Sequence, residues 1–180
     1  ISGVKTATPY KVDKIATGLG RPWAVVPMPD GRLLITEKSG YMEIRNSNGA
    51  LVKKITGFPA VDDDGQGGML DVVPDPAFTK NKIIYWSYSE NYGGGNLTAV
   101  AKGTLNEAAG KVYNPVVIFR ATPALNSGLH FGSRLLFGRD GYLYVTDGER
   151  SILEGRAQAQ LLSSGLGKIF RITKDGKPAP

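Results

Sequence analysis

The sequence predicts an all-β protein, a β-propeller of four-stranded antiparallel blades, and three observations support this prediction. The 180 residues include 24 Gly and 11 Pro, a turn-rich composition that favours many short strands over long helices. Short apolar runs separated by turn residues recur in groups along the whole chain. Several of these runs are almost continuously apolar, as expected for strands that are covered on both faces.

The first unit spans approximately residues 10–60. Residues 1–9 show no periodicity and are interpreted as an arm, whereas the alternation at Tyr10–Ile15 predicts an edge or outer strand. Gly-containing turns then separate four runs, which predict a meander of four strands. These runs are Trp23–Met28, Leu33–Thr36, Tyr41–Arg45 and Leu51–Ile55.

Two further units follow, at approximately 66–120 and 130–180. The second unit contains four predicted strands, at Met69–Val73, Ile83–Tyr88, Leu97–Lys102 and Val116–Phe119. The third contains three, at Arg134–Phe137, Tyr142–Val145 and Lys168–Ile172, with a short helix or an ordered loop at Leu153–Ser164. The first strands of the three units align when Trp23, Leu70 and Arg134 are placed in register.

The number of units bears on how the fold is completed. Propellers close with about four to eight blades, whereas this chain supplies about three. We therefore interpret residues 1–180 as a single partial propeller domain. We expect the remaining blades to come from a longer product, a second fragment or a second copy. A β-sandwich is the alternative architecture, but it exposes one face of each sheet and predicts cleaner alternation.

The third unit contains the only histidine of the chain, His130. Asp140-Gly141 lies between two apolar runs and predicts a tight hairpin, which returns Glu149 to the neighbourhood of His130. An imidazole beside a carboxylate is suited to accept a proton from a hydroxyl. The competing interpretation is a structural or exposed histidine, with Glu149-Arg150 as a solvated turn.

In the second unit, the segment just before the first strand corresponds to the position of His130 in the third unit. This segment is rich in glycine and contains Gln66. If both segments enter the innermost strand of a blade, Gln66 and His130 approach each other at one mouth of the channel. The amide of Gln66 is suited to a hydroxylated ligand, although a plain glycine-rich turn explains the segment equally well. Asp62–Asp64 have the oxygen chemistry of a calcium site but not the spacing of an EF-hand, which favours a solvated acidic turn.

Composition and charge exclude several functions. The net charge is +6, but the basic residues are scattered without a run or an aromatic stripe, which argues against nucleic-acid binding. The chain has no Cys, so disulfides and thiolate metal sites are excluded, and no apolar run approaches the length of a membrane span. Residue 1 is Ile rather than Met, which suggests a processed or trimmed product.

Several of these segments together resemble one protein family. Residues 65–73, 130–135, 138–144, 148–149, 166–172 and 175–178 are similar, in this order, to motifs of the soluble PQQ-dependent aldose sugar dehydrogenases. The resemblance implies a six-bladed propeller that carries pyrroloquinoline quinone (PQQ) and calcium in its channel. It also implies an aldose sugar substrate, a lactone product, an external electron acceptor and a periplasmic or secreted location.

The resemblance also implies roles for individual residues. His130 corresponds to the general base for the sugar C1 hydroxyl, Glu149 to the acid that orients it, and Gln66 to a glutamine on the substrate side. The family's main cofactor and calcium ligands lie in later blades, so no cofactor-binding or metal-binding residue is assigned here. Alternatives are a non-catalytic propeller that binds glycans or protein, and a metal-dependent lactonase-like propeller.

Overall fold

Three antiparallel sheets make up the structure, a computed structural model that describes residues 8–180. Each sheet consists of consecutive strands, so each is one blade of a β-propeller. The all-β fold and the blade pattern predicted from the sequence are confirmed. Within the described residues no helix is long and apolar enough to span a membrane.

The first blade pairs its four strands in chain order. These strands are β1 (Pro22–Pro27), β2 (Leu33–Glu37), β3 (Tyr41–Arg45) and β4 (Leu51–Ile55). The strand predicted at Tyr10–Ile15 is wrong, because this segment pairs with no strand within residues 8–180 and its apolar side chains are largely exposed. Alternation alone does not make a strand where no neighbouring edge is available to complete the backbone hydrogen bonds.

The second blade is the longest and also pairs in chain order. It contains β5 (Met69–Pro74), helix α1 (Phe78–Asn81), β6 (Ile83–Tyr92), β7 (Gly95–Asn106) and β8 (Lys111–Arg120). Strands β6 and β7 extend beyond their predicted ends, since pairing continues to Tyr92 and Gly95 at the tip of the hairpin. Because the residues at this tip are typical of turns, the sequence does not predict that the strands extend so far.

The third blade contributes three strands within the described residues. It contains β9 (Gly132–Phe137), β10 (Leu143–Asp147), helix α2 (Leu153–Gln158) and β11 (Ile169–Ile172), in the order β11-β10-β9. The hairpin predicted at Asp140-Gly141 is confirmed: Leu143 pairs with Phe137 directly across the turn.

The core lies between the blades. Trp86 packs in the cluster between the first and second blades, whereas its neighbour Tyr85 packs in the cluster between the second and third. Alternate side chains of β6 therefore enter opposite interfaces, which explains why its sequence is apolar without alternation. The first strands β1, β5 and β9 lie side by side, so the segments that precede β5 and β9 emerge at one end of the assembly.

Candidate active site

The hairpin of β9 and β10 brings His130 and Glu149 together. His130 precedes β9 by two residues and Glu149 follows β10 by two, while Gly132 and Asp147 are paired between them. The imidazole Nδ1 lies 2.8 Å from Oε1 and 3.1 Å from Oε2 of Glu149. The two side chains are 45% and 26% exposed, so the pair is open to a ligand while partly shielded from water.

The charge state of Glu149 determines which nitrogen of the imidazole carries the proton. The hydrogen bond from His130 holds the pKa of Glu149 below its ordinary value, against a smaller opposing effect of burial. The backbone N–H of Ser151 adds a donor at 3.2 Å. Glu149 is therefore a carboxylate near neutral pH, and Nδ1 of a neutral imidazole carries the proton that faces it. The lone pair is then on Nε2, for which residues 8–180 provide no hydrogen-bond partner.

Gln66 lies against the backbone of His130, as the propeller arrangement predicts. The side-chain oxygen of Gln66 accepts a hydrogen bond from the backbone N–H of His130 at 2.9 Å, and the backbone N–H of Gln66 donates to the carbonyl oxygen of Gly128 at 2.7 Å. With its oxygen used in this way, the amide nitrogen has no partner in the described part of the chain. Gln66 thus supports His130 and keeps a donor available.

The approach of the two segments depends on glycine. At Gly65, φ is +52° and a Cβ atom would lie 2.4 Å from Gly128 O. At Gly148, a Cβ atom would lie 2.1 Å from the carbonyl oxygen of His130. Any larger residue would separate these backbones. His130 itself has φ +46°, a left-handed conformation that is uncommon for a residue other than glycine and is frequent at functional sites.

Arg150 is a buried residue beside His130 that the sequence analysis did not identify as part of the site. The alternative of a solvated Glu149-Arg150 turn is wrong for the arginine, which is 1% exposed. Local sequence carries no signal for this burial, since arginine is almost never fully buried unless it is paired. Its partners come from segments far away in the chain.

A second carboxyl group belongs to Asp147, the last residue of β10, which is 7% exposed. Neither of its carboxyl oxygens has a hydrogen-bond partner within residues 8–180. Burial raises the pKa of Asp147 to about 7, against the opposing effects of the nearby Thr98 hydroxyl and of the charges of Arg150 and Lys168. Asp147 is therefore largely protonated at slightly acidic pH.

The acidic segment Asp62–Asp64 is divided among different partners. Asp62 accepts a hydrogen bond from Asn96 at 2.8 Å, and Asp63 forms an ion pair with Arg21. Across residues 8–180, no group of three or more His, Cys, Asp or Glu side chains is arranged to hold a metal ion. The described residues therefore do not fit a calcium site by themselves.

Comparison with known proteins decides the family. The model of the family described as Glucose / Sorbosone dehydrogenase matches residues 19–180. The chain belongs to this family. Among curated members, it is 38% identical over 168 residues to the aldose sugar dehydrogenase YliI of Escherichia coli strain K12, with 92% of this chain and 44% of that protein covered. The resemblance described from the sequence motifs is confirmed.

Solved structures agree with this Glucose / Sorbosone dehydrogenase assignment. The apo form of the soluble aldose sugar dehydrogenase of E. coli is 38% identical, with a TM-score of 0.80 over 88% of this chain and 46% of that chain. The PQQ-bound aldose sugar dehydrogenase of Streptomyces coelicolor is 27% identical, with a TM-score of 0.82 over 94% and 49%. The chain thus spans about half the length of these relatives.

One similar protein is not named as a dehydrogenase. The Hedgehog-interacting protein of Mus musculus is 28% identical over 183 residues, which cover 91% of this chain and 26% of that protein.

Proposed function

We propose that this chain forms part of a PQQ-dependent aldose dehydrogenase in which His130 is the general base. The observation that carries this proposal is the orientation of the imidazole. Nδ1 is held against both oxygens of Glu149, while Nε2 is free within the described residues and almost half of the side chain is exposed. A base that is oriented on one nitrogen and free on the other is the arrangement that proton abstraction needs.

The reaction follows from these positions. The C1 hydroxyl of an aldose donates its proton to Nε2 of His130 while the C1 hydrogen leaves with its electron pair as hydride. The C1–O bond becomes a carbonyl, and the product is the lactone. Glu149 stabilises the imidazolium that forms, as a carboxylate behind a catalytic histidine does. Gln66 donates its free amide N–H to a hydroxyl of the sugar.

The hydride needs an acceptor. Pyrroloquinoline quinone, when bound, supplies a two-electron acceptor, and an external electron acceptor then reoxidises the enzyme. The described residues include no group of three or more His, Cys, Asp or Glu side chains that could hold a metal ion, so we assign no step to calcium. We propose that the ligands of both groups come from the rest of the ring, and that the protein works in the periplasm or outside the cell.

Exposed apolar side chains on the first and third blades indicate where the rest of the ring packs. Val25 of the first blade and Leu136 and Ile169 of the third are exposed apolar side chains. In a closed propeller both of these sheets would be covered by neighbouring blades. The shared length with the relatives, about half of each, supports the same proposal.

The proposal is tested by replacing His130 with Ala in the protein that carries the whole ring, reconstituted with PQQ and calcium. Dye-coupled aldose oxidation is expected to fall by ~100-fold or more, the usual scale for the loss of a general base. Arg139→Ala, an exposed change in the turn at the far end of the same hairpin, is the control and should keep full activity. Unchanged oxidation in His130→Ala would refute the proposed role.

A non-catalytic binding protein is the second candidate, favoured by the similarity to the Hedgehog-interacting protein. It predicts no aldose oxidation by the reconstituted protein with any sugar. It also predicts that a protein or glycan partner binds equally well to wild type and His130→Ala.

A further inference from the structure

The guanidinium of Arg150 is enclosed by backbone and side-chain oxygens. Nε donates to the carbonyl of Leu129 at 3.0 Å, and Nη1 to the carbonyl of Asn96 at 2.8 Å. Nη2 donates to the side-chain oxygen of Asn96 and to the carbonyl of Ser127. The fork of donors therefore joins the start of β7 to the loop that leads into His130, a geometry that a lysine ammonium cannot reproduce.

The contacts of Arg150 lie on both sides of His130. The guanidinium carbon is 3.9 Å from the centre of the Phe131 ring, a stacked cation–π contact. The backbone N–H of Arg150 donates to the carbonyl of His130 at 3.3 Å, and its carbonyl accepts a hydrogen bond from the Ser127 hydroxyl at 2.6 Å. One residue thus contacts Leu129, His130 and Phe131 in succession.

This burial is costly, because all the acceptors of the guanidinium are neutral. Burial lowers the pKa of Arg150, although the negative charges of Asp147 and Asp62 favour its charged form. A surface turn between β10 and α2 would not need a buried cation. The arginine therefore has a role that an exposed residue at this position would not perform.

We propose that Arg150 is a positioning residue that fixes His130 against Glu149. Arg150 holds the loop before His130 and the aromatic ring of Phe131 after it. It thereby maintains the left-handed backbone conformation of His130, in which Nδ1 meets the carboxylate of Glu149. This inference deepens the proposed function, since it concerns the same histidine, but its direct test does not depend on catalysis.

The test uses the fact that the chain contains a single histidine. In protein labelled with ¹⁵N-histidine, the two imidazole nitrogen shifts report which nitrogen carries the proton when the ring is neutral. Wild type is expected to show the Nδ1–H tautomer. Arg150→Met is expected to show averaged shifts with at least about one third of the Nε2–H form, because the contact with Glu149 is no longer held. Arg139→Met is the matched control and should give the wild-type spectrum.

Two further variants keep the test decisive if Arg150→Met does not fold. Arg150→Lys keeps the charge but not the fork. Ser127→Ala removes the hydroxyl that donates to the carbonyl of Arg150 and accepts from the backbone N–H of Leu129, and it leaves the guanidinium in place. Both are expected to shift the tautomer ratio in the same direction, Ser127→Ala by less. A wild-type tautomer in the folded arginine variants would overturn the inference.

In the protein with the whole ring, Arg150→Lys should lower kcat by roughly 10- to 100-fold while KM changes less than about twofold, since misplacing a catalytic group by about 1 Å has this effect. A changed tautomer without any aldose oxidation in wild type would refute the proposed function while leaving the positioning role intact. An unchanged tautomer in the arginine variants, together with aldose oxidation by wild type, would refute the positioning role while leaving the proposed function intact.

Discussion

Replacement of Asp147 by Asn is expected to stabilise the protein at alkaline pH and to have little effect at pH 4. The carboxyl group is 7% exposed, and its oxygens have no hydrogen-bond partner in residues 8–180. Burial raises its pKa from the ordinary value of 3.8 to about 7. The folded protein therefore binds this proton more tightly than the unfolded chain does.

The sign and size of the effect follow from this difference. Between pH 3.8 and about 7 the folded state binds more protons than the unfolded state, so the free energy of unfolding falls as pH rises through this window. Each pKa unit corresponds to about 1.4 kcal/mol, which gives a full penalty of at most about 4 kcal/mol above pH 7. Arg150 and Lys168 are the charged groups that oppose it. Asn removes the penalty because it does not ionise.

Urea unfolding followed by the fluorescence of Trp23 and Trp86 measures the effect. At pH 8.5, Asp147→Asn should be more stable than wild type by at least about 1 kcal/mol, and at pH 4 the two should agree within about 0.5 kcal/mol. Asp64→Asn, a change at an exposed carboxylate, is the control and should show no such pH dependence. A variant that is equally stable or less stable than wild type at pH 8.5 would show that Asp147 is not penalised by burial.

Two other predictions concern the same hairpin. The carboxyl ¹³C signal of Glu149 should titrate below the ordinary value of 4.5, and the midpoint should rise in His130→Ala, since the hydrogen bond from His130 is the main cause of the lowered pKa. An unchanged midpoint would contradict this cause. Gly148→Ala should destabilise the protein by about 2 kcal/mol or more in urea unfolding, because its Cβ would lie 2.1 Å from the carbonyl of His130. At Gly141 a Cβ atom would meet no atom of residues 8–180 within 4 Å, so Gly141→Ala carries only backbone strain and should cost about 1 kcal/mol. Equal losses in the two variants would contradict the proposed clash.

Prediction from sequence succeeded where the signal is local. The turn at Asp140-Gly141 fixes a hairpin whatever surrounds it, and from that hairpin the neighbourhood of His130 and Glu149 follows directly. The nearly continuous apolar run of β6 predicted a strand with two covered faces, and Tyr85 and Trp86 pack in separate interfaces. Where a strand needs a partner, as at Tyr10–Ile15, the same local argument failed.

The sequence by itself determined the blades, their order and the meeting of His130 with Glu149, because turns and strands depend on neighbours a few residues away. The burial of Arg150 and Asp147 was decided only by the tertiary structure. The guanidinium of Arg150 is bound by Asn96 and Ser127, and Lys168 acts on Asp147 through its charge; all three lie about 20 residues or more away in the chain. The packing of whole blades, and not the residue type, removes water from such groups. This packing determines both the pKa of Asp147 and the hydrogen bonds of Arg150 to the loop before His130.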